Sequence, residues 1–210
     1  MVCFEVEDRE QHPDDSQPVI TARLILRTPQ AADAAVLARL GNSPAIAKNL
    51  ASMSYPFSTE QAAEWINAKS ENQDGCFFVI VEQKSNMPIG TIGYGFRPDD
   101  PEPSLGYWIG EAYWANGYGT EASQAVITHA FETTKIEAIR AACRVINDRS
   151  HRVLEKCGFQ YAGTGMIRSR YYNGMIPVDR FRLCRKTWVA LTSWAVGRSG
   201  TPDRIEERTD

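Results

Sequence analysis

LGYWIGEAYWANGYGTEASQAVITHAF, residues 105–131, joins a strand-like segment to a helix-like segment through a turn that contains two glycines. The apolar start, residues 105–109, predicts a strand, and the pattern after the turn predicts a helix to about Thr134. Gly117 and Gly119 lie directly before this helix. This order directs backbone N–H groups and the positive end of a helix dipole at one point, which favours binding of a phosphate or pyrophosphate group.

The turn differs from a nucleoside-triphosphate loop. It lacks the lysine of the GxxxxGK[ST] pattern, so the hypothesis of an α/β protein that binds a nucleoside triphosphate is disfavoured. Trp114, Ala115 and Asn116 bring no side-chain charge. The turn is therefore expected to hold an anion through its backbone N–H groups and the helix dipole alone.

The composition limits the class of protein. The chain has 210 residues, a formal net charge of −3 and no run of Lys or Arg, so nucleic acid is not expected as a partner. No segment approaches the roughly 20 apolar residues of a membrane span, and the acidic N-terminus is unlike a signal peptide. The 5 cysteines are scattered and form no CxxC pair, which predicts reduced thiols and no bound metal. We therefore expect a cytoplasmic protein without a membrane partner.

One domain is expected, because a chain of this length can bury one sizeable core. It is predicted to span residues 18–190, after a flexible polar leader at residues 1–17 and before a disordered tail at residues 195–210. The apolar run at residues 188–196 is expected either to cover the face of a homodimer or to pack back on the core.

Further elements are predicted from periodicity and capping signals. Thr28-Pro29 predicts the start of a helix that ends near residue 40, and a capping box at residues 58–61 opens a helix to about residue 70. Glycines in one of the strands predict bends or the close approach of another backbone. Strands are expected at residues 22–27, 76–81, 89–96, 137–145, 159–163 and 178–185, a helical turn at residues 45–50, an acidic proline-rich loop at residues 98–103, and a hairpin turn at residues 173–174.

A second informative segment, NDRSHRVLEKCGF, covers residues 147–159. Asn147 and Ser150 are both candidates for the N-cap of a helix, and Gly158 is suited to end it. Taken in order along the chain, the glycine turn and this segment resemble two motifs of the GNAT N-acetyltransferases. The resemblance is strongest to the RimJ/RimL-like subgroup, which acetylates the N-termini of ribosomal proteins.

Three groups of residues carry the resemblance. Residues 114–119 are similar to the pyrophosphate loop of the family, with a tryptophan in the first place and glycine in both glycine places. The subgroup pattern Gly-x-Gly-Tyr-Ala-Thr-Glu-Ala matches residues 115–122 apart from Ala115 and Gly119. The subgroup's opening pattern, Thr-x-Arg-Leu-x-Leu-Arg, is present at residues 21–27.

The resemblance implies an α/β fold, in an α+β arrangement of three layers, over residues 19–185. The central sheet is expected to be mixed and mostly antiparallel, with helices on both faces. The strand at residues 104–110 and the strand at residues 137–145 would splay apart. The gap between them would hold acetyl-CoA as co-substrate, without a metal.

The resemblance also assigns residues to acetyl-CoA. The end of the first splayed strand would pair with the pantetheine arm, and the glycine turn would hold the pyrophosphate. The expected acetyl-CoA-binding residues are Trp108, Ile109, Gly110, Trp114, Ala115, Asn116, Gly117, Tyr118, Gly119, Thr120 and Asn147.

The implied reaction is direct attack of a primary amine on the thioester in a ternary complex. Many family members stabilise the departing thiolate with a tyrosine eight residues after the asparagine, but Glu155 occupies that place. Ser150 is therefore the expected catalytic donor, with Asn147 assisting, and an N–H near Ile109 would polarise the thioester carbonyl. Ser150 and Asn147 have an alternative role as the N-cap of the following helix, worth about 1 kcal/mol.

The general base stays open at this point. Glu102 and Asp179 are candidates, although either is equally a solvated surface charge. A chain of waters to bulk solvent needs no dedicated base. Glu121 is expected to complement the helix dipole and to point away from the pyrophosphate.

The expected acceptor is a primary amine, and the N-terminus of a protein such as a ribosomal protein is preferred. A small-molecule amine or antibiotic is the alternative, and so is a non-catalytic module that only binds acyl-CoA. Tyr171-Tyr172 and Tyr55-Phe57 are candidates for the walls of an acceptor pocket, whereas Trp65 is expected to pack in the core.

Overall fold

The computed structural model describes residues 17–70, 75–97 and 100–197. Residues 1–16 of the predicted leader and residues 198–210 of the predicted tail lie outside these ranges. Within the described part of the chain, no helix is long and apolar enough to cross a membrane.

The strands of the described residues form one open sheet. They are β1 (Val19–Ile20), β2 (Leu24–Arg27), β3 (Gly75–Glu82), β4 (Met87–Arg97), β5 (Asp100–Ile109), β6 (Ala138–Arg144), β7 (Gln160–Ser169) and β8 (Gly174–Cys184). Their spatial order is β1-β2-β3-β4-β5-β6-β8-β7, and every neighbouring pair is antiparallel except β5 and β6. The predicted mixed, mostly antiparallel sheet is confirmed.

Helices cover both faces of this sheet, as the three-layer prediction requires. The helices of the described residues are α1 (Ala34–Gly41), α2 (Pro44–Ala47), α3 (Thr59–Ser70), α4 (Tyr118–Thr133), α5 (Asp148–Lys156) and α6 (Arg185–Gly197). One apolar core lies between the sheet and α4 with α5, and a second lies between the sheet and α1 with α3.

The two parallel strands, β5 and β6, separate soon after they meet. Only Ser104 with Arg140 and Leu105 with Ala141 are in register, although β5 continues to Ile109 and β6 to Arg144. Beyond these pairs the facing edges of the two strands have no strand partner, so their backbone N–H and C=O groups make no bond to a neighbouring strand there. The predicted splay is thus present in the middle of the sheet.

A set of ion pairs closes the sheet where the splay begins. Glu102 on β5 accepts from Arg140 Nε on β6 at 2.7 Å and from Arg182 Nη2 on β8 at 2.6 Å. Asp100 accepts from the same Arg140 at 2.7 Å. The prediction of a loop at residues 98–103 is therefore wrong from Asp100 onward, because these arginines hold the acidic residues in strand β5.

We expect Glu102→Gln to lower the free energy of unfolding by about 1 kcal/mol at pH 7, since it removes the charge that bridges three strands. The Arg182 and Arg140 guanidinium groups hold the pKa of Glu102 below its ordinary value of 4.5. A lowered pKa in the folded state means that the stabilisation is present above pH 4.5 and is lost as the pH falls through the folded-state pKa. Urea unfolding at a series of pH values measures this.

Glu132, exposed on α4, provides the matched control for this charge removal. The Glu132→Gln variant should unfold like the parent at every pH. A Glu102→Gln variant as stable as the parent at pH 7, or one whose deficit persists at acid pH, would contradict the assignment of these ion pairs.

The first helix begins later than predicted. Instead of a start at Thr28-Pro29, a single 3-10 turn at Ala31–Asp33 precedes α1. The Asp33 carboxylate accepts from the Gln30 N–H at 2.8 Å and pairs with Arg27 at 2.7 Å. The helix start is moved because this buried carboxylate fixes the turn. By contrast, the capping box is confirmed, since Ser58 N–H donates to Gln61 Oε1 at 2.9 Å and Gln61 N–H donates to Ser58 Oγ at 3.3 Å.

Two glycines of β4 are required by close approach, as predicted. A Cβ at Gly90 would lie 2.1 Å from the Trp108 carbonyl oxygen, and one at Gly93 would lie 2.5 Å from both the Cys76 carbonyl oxygen and the Phe77 ring. No other residue type fits without a shift of the backbone. The glycine at position 93 therefore leaves room for the Phe77 ring.

The C-terminal part of the sheet is longer than predicted. The hairpin turn is confirmed, with Asn173 at a φ of 46°, but β7 and β8 extend the predicted strands up to this turn. Helix α6 continues to Gly197, so the start of the predicted disordered tail is helical. Trp188 packs back on the core, with its ring centroid 5.2 Å from that of Phe131, while the Trp194 side chain is 66% exposed.

Candidate functional site

A cleft of about 840 Å³ opens where β5 and β6 separate. Its walls are the ends of these strands, the N-terminus of α4 and one side of α5. The residues predicted for acetyl-CoA binding or catalysis that line it are Trp108, Ile109, Trp114, Ala115, Gly117, Tyr118, Gly119, Thr120, Asn147 and Ser150. The two motifs, distant in the sequence, therefore meet at one site.

The turn before α4 presents its backbone to the cleft. Ala115 has a φ of 64° and Gly117 a φ of 80°, and no side chain caps the helix at its N-cap, Gly117. The first N–H groups of a helix have no partner inside the helix. Tyr118, Gly119 and Thr120 carry such groups and line the cleft. An anion at this place would receive their hydrogen bonds together with the helix dipole.

The end of β5 supplies a second row of backbone groups. Gly110 N–H donates to the Ile89 carbonyl on β4 at 2.8 Å. Because the backbone N–H and C=O groups of successive residues in a strand point to opposite sides, those of Ile109 and Tyr107 point toward the cleft. The Trp114 indole donates to the Ile109 carbonyl at 2.7 Å and fixes this edge. Gly110 itself does not line the cleft, because its N–H is already bonded to β4.

Asn116 also lies outside the lining of the cleft. Its side chain donates to the Tyr113 and Trp114 carbonyls at 3.2 Å, and its own carbonyl accepts from Arg23 at 2.9 Å. Arg23 also pairs with Glu121 at 2.6 Å, which turns that carboxylate toward β2 and away from the cleft as predicted. Asn116 and Glu121 therefore brace the turn from outside.

Cationic side chains reach the cleft from a direction that the sequence pattern did not indicate. Arg149 and Arg152, on the first two turns of α5, and Lys156 at its end line the cleft, and so does Lys48 beyond α2. The Arg149 guanidinium lies 4.7 Å from the centroid of the Trp114 ring. The turn has no charge of its own, but α5 supplies positive charge facing it. The signal available in the sequence was the spacing of Arg149, Arg152 and Lys156, which stand at i, i+3 and i+7 and therefore lie on one side of a helix.

The structure separates the roles of Asn147 and Ser150. Asn147 is the N-cap of α5, and its side-chain oxygen accepts from the Ser150 N–H at 3.3 Å. The Ser150 hydroxyl is not used for capping, and it accepts from the Tyr107 hydroxyl at 3.4 Å. Burial raises the pKa of Tyr107 to about 12, so this phenol keeps its proton at neutral pH. The Ser150 hydroxyl also lies within hydrogen-bond reach of the Cys143 thiol, which lines the same cleft.

Neither candidate base lines the cleft. Glu102 is engaged by two arginines that lower its pKa, which makes it a poor proton acceptor. Asp179 lies 3.2 Å from His151 Nε2 and is paired with that side chain. Among the described residues the only carboxylate lining the cleft is Asp148, on the first turn of α5.

A second cavity, of about 240 Å³, lies on the α1 and α3 side of the sheet. It shares Gly106, Tyr107 and Trp108 of β5 with the cleft, so the two spaces meet at this strand. A Cβ added at Gly106 would have no neighbour within 4 Å, which shows that the strand is uncovered at the junction. The aromatic side chains that line the second cavity are Phe57, Trp65, Phe77, Tyr107 and Trp108.

The aromatic walls differ from those predicted. Phe57 lines the second cavity, but Tyr55, Tyr171 and Tyr172 line neither space. The ring centroids of Tyr171 and Tyr172 are 4.9 Å apart, and Tyr172 also contacts Arg144, so these rings pack on one another. Trp65 packs in the core as predicted and additionally faces the cavity.

Comparison with known families gives the same result as the geometry. A domain described as an acetyltransferase (GNAT) domain matches residues 23–160 of the chain. This chain belongs to the GNAT acetyltransferase family. The prediction made from the two motifs is confirmed.

Individual GNAT relatives agree with this assignment. The chain is 26% identical over 176 residues to p20, an uncharacterized N-acetyltransferase of Bacillus licheniformis, covering 82% of this chain and 98% of p20. It is 30% identical over 81 residues to the ribosomal-protein-serine acetyltransferase of Escherichia coli, covering 38% of this chain and 45% of that protein. The structure of RimL, a ribosomal L7/L12 alpha-N-protein acetyltransferase in complex with coenzyme A, matches the fold with a TM-score of 0.71 and 19% identity, over 80% of this chain and 98% of that one.

As a GNAT family member, the chain is an N-acetyltransferase. The residues present suit coenzyme A, because an uncapped helix N-terminus, a free strand edge and cationic side chains of α5 all face one cleft. In the described part of this GNAT chain, no group of three or more His, Cys, Asp or Glu side chains is placed to hold a metal ion.

Proposed function

We propose that the chain transfers an acetyl group from acetyl-CoA to a primary amine by direct attack in a ternary complex. The observation that carries this proposal is the junction of the two spaces at β5, where Gly106, Tyr107 and Trp108 line both. A donor in the larger cleft and an acceptor in the smaller cavity would meet there without a covalent enzyme intermediate.

For the donor, the proposal places the pyrophosphate of acetyl-CoA on the first-turn N–H groups of α4. Arg149 and Arg152 would supply charge that the turn itself lacks. The pantetheine arm would pair with the free edge of β5 through Tyr107 and Ile109. The crystal complex of RimL with coenzyme A supports a coenzyme A site in this fold.

For the chemistry, the Ile109 N–H would polarise the thioester carbonyl as negative charge develops on its oxygen. The nitrogen of the acceptor attacks the acetyl carbon, the carbon–sulfur bond breaks, and the thiolate leaves. Ser150 would donate a hydrogen bond to the sulfur, while Tyr107 holds the serine oxygen in place. The proton of the amine leaves through water, because the described residues place no free carboxylate at the junction.

For the acceptor, a peptide N-terminus is the proposed class, with a ribosomal protein as one candidate. The ribosomal-protein-serine acetyltransferase of Escherichia coli and RimL support this choice by their similarity. A small-molecule amine remains the second candidate, since the cavity of about 240 Å³ is small. A homodimer through the exposed side of α6 is a further prediction, and Trp194 would lie in it.

The test is release of coenzyme A thiol from acetyl-CoA in the presence of peptides with free N-termini and of small amines. We expect turnover with at least one acceptor, acetylation of its amine by mass spectrometry, and no acetyl group on the protein when the acceptor is omitted. A protein that binds acetyl-CoA but acetylates no member of the panel would refute the proposed function, and an acetylated enzyme would refute direct transfer.

A further inference from the structure

The second cavity has one charged side chain among its described lining residues, Lys69 of α3. The Lys69 Nζ lies 4.0 Å from the centroid of the Phe77 ring, which is itself part of the wall. The lysine is half-buried, and burial lowers its pKa below the ordinary value of 10.5. Within the described ranges no carboxylate lies within ion-pair distance of it, and no Asp or Glu lines the cavity.

This arrangement is costly without a ligand. An ammonium group drawn out of water loses solvation, and the contact with the Phe77 ring replaces only part of it. A carboxylate delivered into the cavity would pair with the ammonium where aromatic walls reduce the screening by water. A cationic group would instead face Lys69, and no acid among the described lining residues would offset the repulsion.

The position of the cavity makes this charge relevant to the acceptor. Its wall includes Gly106 and Trp108, which also line the donor cleft, so a molecule in the cavity lies next to the junction. A volume of about 240 Å³ has room for a side chain or a small molecule, below the ~300–1,000 Å³ of larger ligand sites.

We propose that the acceptor of this enzyme is an amine that also carries a carboxylate, and that Lys69 binds this carboxylate in the aromatic cavity. The inference rests on the proposed function, because it names the acceptor for the same site. The carboxylate has two sources, the acidic side chain of a residue near a peptide N-terminus or the carboxylate of a free amino acid. Lys69 is a specificity-determining residue here and takes no part in the transfer itself.

The experiment compares matched acceptors that differ in one charge. Tetrapeptide amides with Asp or Asn at the second position form one pair, and phenylalanine with phenylalaninamide forms the other. Spermidine serves as the cationic acceptor. In the assay of thiol release, we expect kcat/KM to be about tenfold higher for the acidic member of at least one pair than for its amide, since ~1.4 kcal/mol corresponds to tenfold. The pair that shows the difference identifies the source of the carboxylate.

Lys69→Met then tests the residue. We expect it to raise the KM of the preferred acidic acceptor about tenfold, with kcat within about twofold and the KM for acetyl-CoA unchanged. Lys69→Arg should recover most of the preference, which a folding defect would not allow. The matched control is Lys135→Met, which removes a lysine exposed in the turn between α4 and β6. This control should keep the preference in full.

The two proposals fail in different ways. Equal kcat/KM for both members of both pairs, preferred use of spermidine, or a preference that survives in Lys69→Met would overturn the inference while acetyl transfer itself stands. If no acceptor is acetylated although acetyl-CoA binds, the proposed function fails and the inference falls with it.

Discussion

Ser150→Ala is expected to lower kcat by a factor of about 100 or more, while the Kd for acetyl-CoA and the melting temperature stay close to those of the parent chain. Groups that stabilise a leaving atom in the transition state contribute factors of about 10² to 10⁴. The hydroxyl is not needed as the helix cap, because the Asn147 side chain caps α5, and it accepts from Tyr107 at 3.4 Å. Steady-state thiol release measures kcat, and calorimetric titration measures the Kd for acetyl-CoA. Thermal unfolding measures the melting temperature.

Asn147→Ala is the comparison that separates catalysis from capping. It removes the cap of α5, so we expect a loss of about 1 kcal/mol in the free energy of unfolding. Ser150→Ala leaves the cap in place and should unfold like the parent. A Ser150→Ala variant with unchanged kcat, or one destabilised as much as Asn147→Ala, would contradict the catalytic role and show that Ser150 only stabilises the helix.

Gly117→Val is expected to weaken acetyl-CoA binding by a factor on the order of 100. Gly117 has a φ of 80° at the N-cap of α4, and valine is strongly disfavoured in that backbone conformation. The turn must then shift, and the N–H groups at the start of the helix lose their common direction. A loss of ~2.7 kcal/mol corresponds to this factor and equals about one or two hydrogen bonds to a charged group. Calorimetric titration measures the affinity directly.

Gly163 provides the matched control, because it too has a positive φ, 105°, and a Cβ there would meet nothing within 4 Å. It lies on β7, outside the lining of the cleft. Gly163→Val should therefore carry a comparable backbone cost in stability and bind acetyl-CoA normally. If both variants bind acetyl-CoA like the parent, the turn at residues 114–120 is not the pyrophosphate site.

The features that local sequence determines were predictable. A strand followed by a glycine turn and a helix, the capping box at residues 58–61 and the hairpin at Asn173 each depend on residues within one short segment. The splay between β5 and β6 followed from the family resemblance, and the register of only two residue pairs confirms it.

The features that were missed depend on residues far apart in the chain. Strand β5 is extended by the pairs of Glu102 with Arg140 and Arg182. Such pairs form only after the strands assemble, so a local pattern cannot show them.

Three properties of the site were missed for the same reason. Arg149 faces the glycine turn only because β6 and α5 bring it across the cleft, and its cationic side chain compensates for the uncharged turn. The second cavity joins side chains of α3, β3, β4 and β5, and no single segment indicates that Lys69 and Trp108 share one wall. Tyr107 was overlooked because its partner, Ser150, lies on another element.

Hydrogen–deuterium exchange with and without acetyl-CoA reports where the donor binds. We expect slower exchange at the first-turn amides of α4, residues 118–120, and at the free edge of β5 around Tyr107 and Ile109. The amides of β7 should be unaffected and serve as the internal reference. Saturating acetyl-CoA that leaves α4 and β5 unchanged, or that protects another part of the chain instead, would contradict the proposed donor site.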